Sequence, residues 1–156
     1  MSRPTLEEPP TVSVRSIVEY PLPHGKLVLG VHGEPPGWVP PTLQTLGQLL
    51  TLPRDWDSYG GRAVDPACAW AAWQLLLLLM GEDSPVPSLV PTSRGGVQIE
   101  WHAQGIDLEI EVVTAQQFYV SFEDAQTAEA WEKEMTDAAH ELPPWVARLS
   151  RPSQSR

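Results

Sequence analysis

The sequence of 156 residues has one cysteine, Cys68, so no disulfide can form within the chain. That suits a reducing compartment, where free thiols persist. It lacks an apolar run of the ~20 residues that a membrane-spanning helix needs. The longest such run, residues 67–80, is interrupted by Gln74. The start of the chain lacks the basic-then-apolar pattern of a secretory signal. The expectation is a cytoplasmic protein with no membrane association. Bases are scarce as well. No lysine lies between Lys26 and Lys133, and from Glu100 to Glu141 Lys133 is the only base among eleven acids. A metal nuclease of the restriction type needs an acid pair and a lysine on adjacent strand positions, so this gap weighs against one. The acid-rich segment carries the whole formal net charge of −10, because the rest of the chain is balanced. A field of one sign repels nucleic acid and attracts basic proteins. No direct nucleic-acid binding is expected, and a basic protein partner is.

Apolar residues make up 42% of the chain, which is enough to bury a core. Seventeen prolines point to short elements with stiff connections. Residues 1–10 are polar and proline-containing and read as a flexible arm. Residues 11–20 (TVSVRSIVEY) and KLVLGVH read as the strands of a hairpin. PTLQTLGQLL places Leu43, Leu46, Leu49 and Leu50 on one helical face. Asp65 followed by Pro66 starts a second helix, which Gly81 ends. WAAWQLLLLL within it is apolar on nearly every side, so it must be covered on most of them. Either its own domain does so, or a homodimer forms through this Trp70-to-Met80 helix.

GEDSPVPSLVPTS reads as an irregular, proline-punctuated loop. Strict alternation then marks three strands joined by short turns, with Val97, Ile99 and Trp101, then Ile106, Leu108, Ile110 and Val112, then Phe118, Val120 and Phe122 on one face. The other face carries Glu100, His102, Asp107, Glu109, Glu111 and Tyr119. A third helix is expected over residues 127–142, with Trp131, Met135, Ala138, Ala139 and Leu142 on one side. The fold class is therefore α+β: an antiparallel sheet, made of a C-terminal three-strand meander plus the N-terminal hairpin, packed with about three helices. A single domain spans residues 11–142, and residues 143–156 form a basic flexible tail.

Two places concentrate chemistry-bearing side chains. The first is LPRDWDSYGGRAVDP, where Trp56, Asp57 and Tyr59 precede Gly60 and Gly61. One reading is a turn whose aromatics plug the core between two helices; the other is a partner-facing loop. The glycines lack the preceding strand and the spacing of a phosphate-cradling loop. The second is the acidic strand face. Glu100, His102, Asp107 and Glu109 could in principle hold Mg²⁺ or Mn²⁺, which take oxygen ligands. Otherwise Glu100, Asp107, Glu109, Glu111 and Tyr119 form a partner-binding surface. Cys68 sits in an apolar helix that keeps its thiol protonated. No catalytic residue is assigned, and no cofactor is expected.

LPRDWDSYGGRAVDP, the following Ala/Leu helix, PSLVPTSRGGVQIEW and IDLEIEV together resemble a family of small bacterial proteins. Their pattern is a W-D-x-x-G loop, a helix, a P-x-[IV]-x-P turn and a G-G-[IV]-x-[IL]-E-W strand. The resemblance covers about residues 50–113, and its turn, Pro87-Ser88-Leu89-Val90-Pro91, is one residue off that spacing. It implies a bacterial cytoplasmic module in which Trp56, Asp57, Gly60, Gly96, Glu100 and Trp101 matter. It carries no activity with it. The expected function is a non-enzymatic acidic interaction module, of antitoxin, immunity or inhibitor type. The alternatives are a nucleic-acid-mimic inhibitor, a metal-dependent hydrolase or nuclease, and a structural subunit of a larger complex.

Overall fold

The computed structural model describes residues 16–23 and 25–150. The arm expected over residues 1–10, the first strand's expected start at 11–15, His24 and residues 151–156 lie outside the described residues. The described residues are α+β, with a two-stranded and a five-stranded antiparallel sheet and four helices. β1 (Ser16–Leu22) and β2 (Gly25–Val31) form the hairpin. α1 (Val39–Leu49) and α2 (Pro66–Leu79) follow. β3 (Ser88–Pro91), β4 (Val97–Ala103), β5 (Ile106–Thr114), β6 (Gln117–Asp124) and β7 (Glu129–Met135) pair in chain order as one meander. α3 (Ala138–Glu141), α4 (Pro143–Ala147) and a 3₁₀ turn, Arg148–Ser150, close the described chain.

The sheet forms where period-two alternation lets one face desolvate completely. Val97, Ile99, Leu108, Ile110, Val112, Val120 and Phe122 are wholly buried. Each such side chain contributes about 1.5–3 kcal/mol relative to exposure. α2 lies across β4 and β5, where Ala72 and Leu76 are fully buried against them. Asp65 caps α2 by accepting the Ala67 N–H at 2.9 Å, and Pro66 occupies the first turn, as the sequence expects. Among the described residues α2 buries Cys68, Ala69, Ala71, Ala72, Trp73, Leu75 and Leu76, while Trp70 is 51% exposed and Leu78 70%. The β4–β5 turn is Gln104-Gly105 with both φ positive, a tight hairpin that fixes the register of the two clearest strands. Among the described residues no helix is long and apolar enough to cross a membrane.

Four expectations are corrected. The third helix over 127–142 is instead β7 followed by the short α3. Trp131 turns inward and stacks on Phe122, with ring centroids 5.5 Å apart and planes at 22°. Tertiary packing on the open edge of β6 outweighs the helix propensity of Glu, Ala and Lys. The loop expected before β4 contains β3, an edge strand, where proline is tolerated. The tail is not free from residue 143: α4 and the 3₁₀ turn bury Val146 and Leu149. The hairpin stands as its own two-stranded sheet and does not extend the meander.

Candidate functional site

The strand register decides what the uncovered face of the meander presents. Gln98 pairs with Glu111, Glu100 with Glu109 and His102 with Asp107. Glu111 in turn faces Tyr119, Glu109 faces Ser121 and Asp107 faces Glu123. Tyr119 pairs with Glu134 and Ser121 with Glu132. Paired residues share a face, so seven carboxylates stand on one side: Glu100, Asp107, Glu109, Glu111, Glu123, Glu132 and Glu134. The expected group of Glu100, Asp107, Glu109, Glu111 and Tyr119 is therefore assembled on one surface. Glu123, Glu132 and Glu134 extend it beyond the sequence expectation. The alternation of Ala130, Glu132 and Glu134 against Trp131, Lys133 and Met135 was the signal for the last two.

Among the described residues, neutralisation on this face is slight. Arg94, from the β3–β4 turn, pairs with Glu111 at 2.6 Å. His102 Nδ1 lies 2.6 Å from Asp107 Oδ1, and its Nε2 lies 3.7 Å from Glu100 Oε2. The hydrogen bond to Asp107, aided by both carboxylate charges, holds the His102 pKa above its ordinary value. Gln98 donates to Glu100 at 2.8 Å and so spaces the central acids. Tyr119 donates its hydroxyl to Glu132 at 3.1 Å, and this bond and the Glu132 charge raise the phenol pKa. At one end of the face Arg94, Glu111, Val113, Gln117, Tyr119 and Glu134 line a shallow hollow of about 300 Å³.

The candidate metal ligands Glu100, His102, Asp107 and Glu109 are neighbours on adjacent strands, but they do not form a binding set. Among the described residues, no three of His, Cys, Asp and Glu are arranged to hold a metal ion. His102 spends its two ring nitrogens on carboxylates from different strands. Cys68 is buried, its sulfur is 3.5 Å from the Val113 carbonyl oxygen, and burial raises its pKa.

The Trp56–Gly61 loop is tied to itself. Asp57 Oδ1 accepts the backbone N–H groups of Tyr59 at 2.9 Å and Gly61 at 2.8 Å, and these bonds lower its pKa. Asp55 Oδ1 accepts from Gly60 N–H at 2.6 Å, and Trp56 Nε1–H donates to the Arg62 carbonyl at 3.0 Å. A side chain at residue 61 would meet the Asp57 carboxylate at 2.7 Å, which accounts for Gly61. Tyr59 does not plug the core: it stands 93% exposed at the tip of this braced loop. Trp56 and Asp57 are half-buried and act as braces. The two motifs of the noted resemblance also meet in space. Arg62 N–H donates to the Ser93 carbonyl at 3.0 Å, joining the loop to the turn that precedes Gly96.

Comparison with protein-family models, with curated proteins and with solved structures finds no match for this chain.

Proposed function

We propose that this chain is a non-enzymatic interaction module that engages a basic protein through the acidic face of its meander, in the manner of an antitoxin, immunity protein or inhibitor. One observation carries the reading: seven carboxylates share an uncovered sheet face on which, among the described residues, a single arginine is paired. Isolated surface acids are ordinary, but seven in three cross-strand rows create a field that steers a cationic surface and fixes its orientation. The rigid loop that carries Tyr59 supplies a preordered aromatic of the kind enriched in interface hot spots. A metal-dependent hydrolase is disfavoured because, among the described residues, its four candidate ligands are not arranged to hold a metal ion.

A second reading has one observation in its favour. Asp107, Glu109 and Glu111 stand in line two residues apart, a repeat of ~6.8 Å along the strand. Such a row offers regularly spaced negative charge, as a nucleic-acid mimic would.

The test is capture from cells that express the protein natively, in low salt, with wild-type chain and with a Glu109→Lys/Glu132→Lys variant. The expected result is a basic protein held by the wild type, released by salt and not held by the variant. Equal retention of that protein by both chains contradicts the reading.

A further inference from the structure

The five-stranded sheet ends in two edges of different character. β3, at one edge, is four residues long, closes on Pro91 and lies against α1. β7, at the other, is seven residues long, contains no proline and keeps a continuous register with β6. Among the described residues no strand lies beyond β7, and no backbone bond ties residues 130–135 to any segment but β6. Every second residue of β7 therefore turns both its N–H and its C=O outward, with no strand to receive them. Such a row is a template for another extended chain, which proteins either guard against or use.

The charges of β7 guard it against one occupant and suit another. Glu132, Lys133 and Glu134 are exposed in succession. Glu132 and Glu134 stand on the acidic face, where each accepts from a neutral donor of β6: the Tyr119 hydroxyl at 3.1 Å and the Gln117 amide. Among the described residues the ion pairs of β7 are Lys133 with Glu141 and Arg148 with Glu129, which leaves the charge of Glu132 and Glu134 uncompensated. A second copy added antiparallel about Glu132 or Lys133 would set like charges directly opposite one another. A strand with bases two residues apart instead repeats at ~6.8 Å, the spacing of Glu132 and Glu134 along β7. We propose that the basic partner engages β7 by strand addition, through an extended segment whose lysines or arginines at alternate positions face Glu132 and Glu134. This rests on the acidic-face reading and adds the mode of contact to it: ladder bonds supply affinity, and the alternate bases fix the register.

The probe is an end-capped seven-residue peptide that alternates lysine with threonine, beside the same peptide N-methylated at its backbone amides. The two carry the same charge, but the second cannot build a ladder. The full chain is labelled with ¹⁵N, and amide exchange along β7 is followed at about 0.05 M salt. At saturation the first peptide should slow the outward half of the amides of residues 130–135 by about tenfold or more, and the methylated one should bind at least about tenfold more weakly. Glu132→Lys/Glu134→Lys should weaken the first peptide by about tenfold or more. Equal binding of the two peptides, or no slowing along β7, overturns strand addition and leaves the acidic face standing as a charged surface. Binding that the charge reversal does not weaken overturns the acidic-face reading and this proposal with it. Outward amides that are already slow in the free chain also overturn the proposal, because the edge then belongs to a second copy or to a segment of the chain itself.

Discussion

The backbone N–H of Asp65 donates to the carbonyl oxygen of Gly95 at 2.8 Å. This bond ties the cap of α2 to the β3–β4 turn, thirty residues on in the chain. The turn leaves no room for a side chain: a Cβ on Gly96 would lie 2.4 Å from the Val112 carbonyl oxygen. Because the obstacle is backbone, the sheet itself would have to shift. Gly96→Ala should destabilise the chain by about 3 kcal/mol, or prevent folding. Urea unfolding followed by tryptophan fluorescence measures this, and a change under about 0.5 kcal/mol would mean the turn is looser than described.

Arg148 locks the last described turn, Arg148–Ser150, to the far side of the sheet. Its Nη1 donates to Glu129 at 2.8 Å and to Asp124 at 3.3 Å, and its guanidinium lies 4.5 Å from the Trp145 ring centroid. The Asp124 side chain is fully buried. Arg148→Ala strips a buried carboxylate of a partner and should cost about 3 kcal/mol. Adding Asp124→Asn should recover part of that loss by removing the buried charge. Thermal unfolding of the two variants checks the order. Deleting the chain from Pro143 onward should be worse than either, since it also removes Trp145 from its packing on Phe122.

His102 gives the acidic face a pH dependence. Its folded pKa is raised, so its contribution to stability is complete below its unfolded value and is lost as pH rises through the folded one. His102→Gln should therefore lower the melting temperature at pH 5.5 and leave it nearly unchanged at pH 9. The effect is small, because the ion pairs are more than half exposed on the histidine side. Equal effects at both pH values would contradict the ion-pair assignment.

Asp57 runs the other way. Its folded pKa is lowered by the amides of Tyr59 and Gly61, so its contribution is present above its unfolded value and is lost as pH falls through the folded one. Asp57→Ala should lower the melting temperature at pH 7, and the difference should shrink toward pH 3. Amide hydrogen exchange at Tyr59 and Gly61 should quicken in the variant.

The central strands were legible because each face keeps one chemistry. Val97, Ile99 and Trp101 cannot alternate with Gln98, Glu100 and His102 on a helix. Residues 129–135 satisfy two periods at once. Trp131, Met135, Ala138 and Leu142 mark a helical stripe, while Trp131, Lys133 and Met135 mark a strand face. The open edge of β6 decides between them, and no local pattern reports that edge. The anchoring of the tail was hidden for a similar reason: Arg148 and Asp124 are 24 residues apart, and only the finished sheet brings them together. Four of the seven carboxylates, Glu100, Asp107, Glu109 and Glu111, followed from alternation alone. Glu123 lies one residue beyond the stretch read as the third strand, Glu132 and Glu134 waited on β7, and the bracing of the Trp56–Gly61 loop depends on side-chain-to-backbone bonds that composition does not reveal.

The central claim is that the carboxylate rows of the meander hold a basic protein. Its most direct test is titration calorimetry of the captured basic partner at about 0.1 M and 0.5 M salt against three chains. These are the wild type, the face variant Glu109→Lys/Glu132→Lys, and a control, Glu34→Lys/Glu82→Lys, reversed to the same extent outside the meander. The account predicts affinity that falls with salt, drops about a hundredfold or more in the face variant, and changes little in the control. Salt-independent affinity, or equal losses in the two variants, would contradict it.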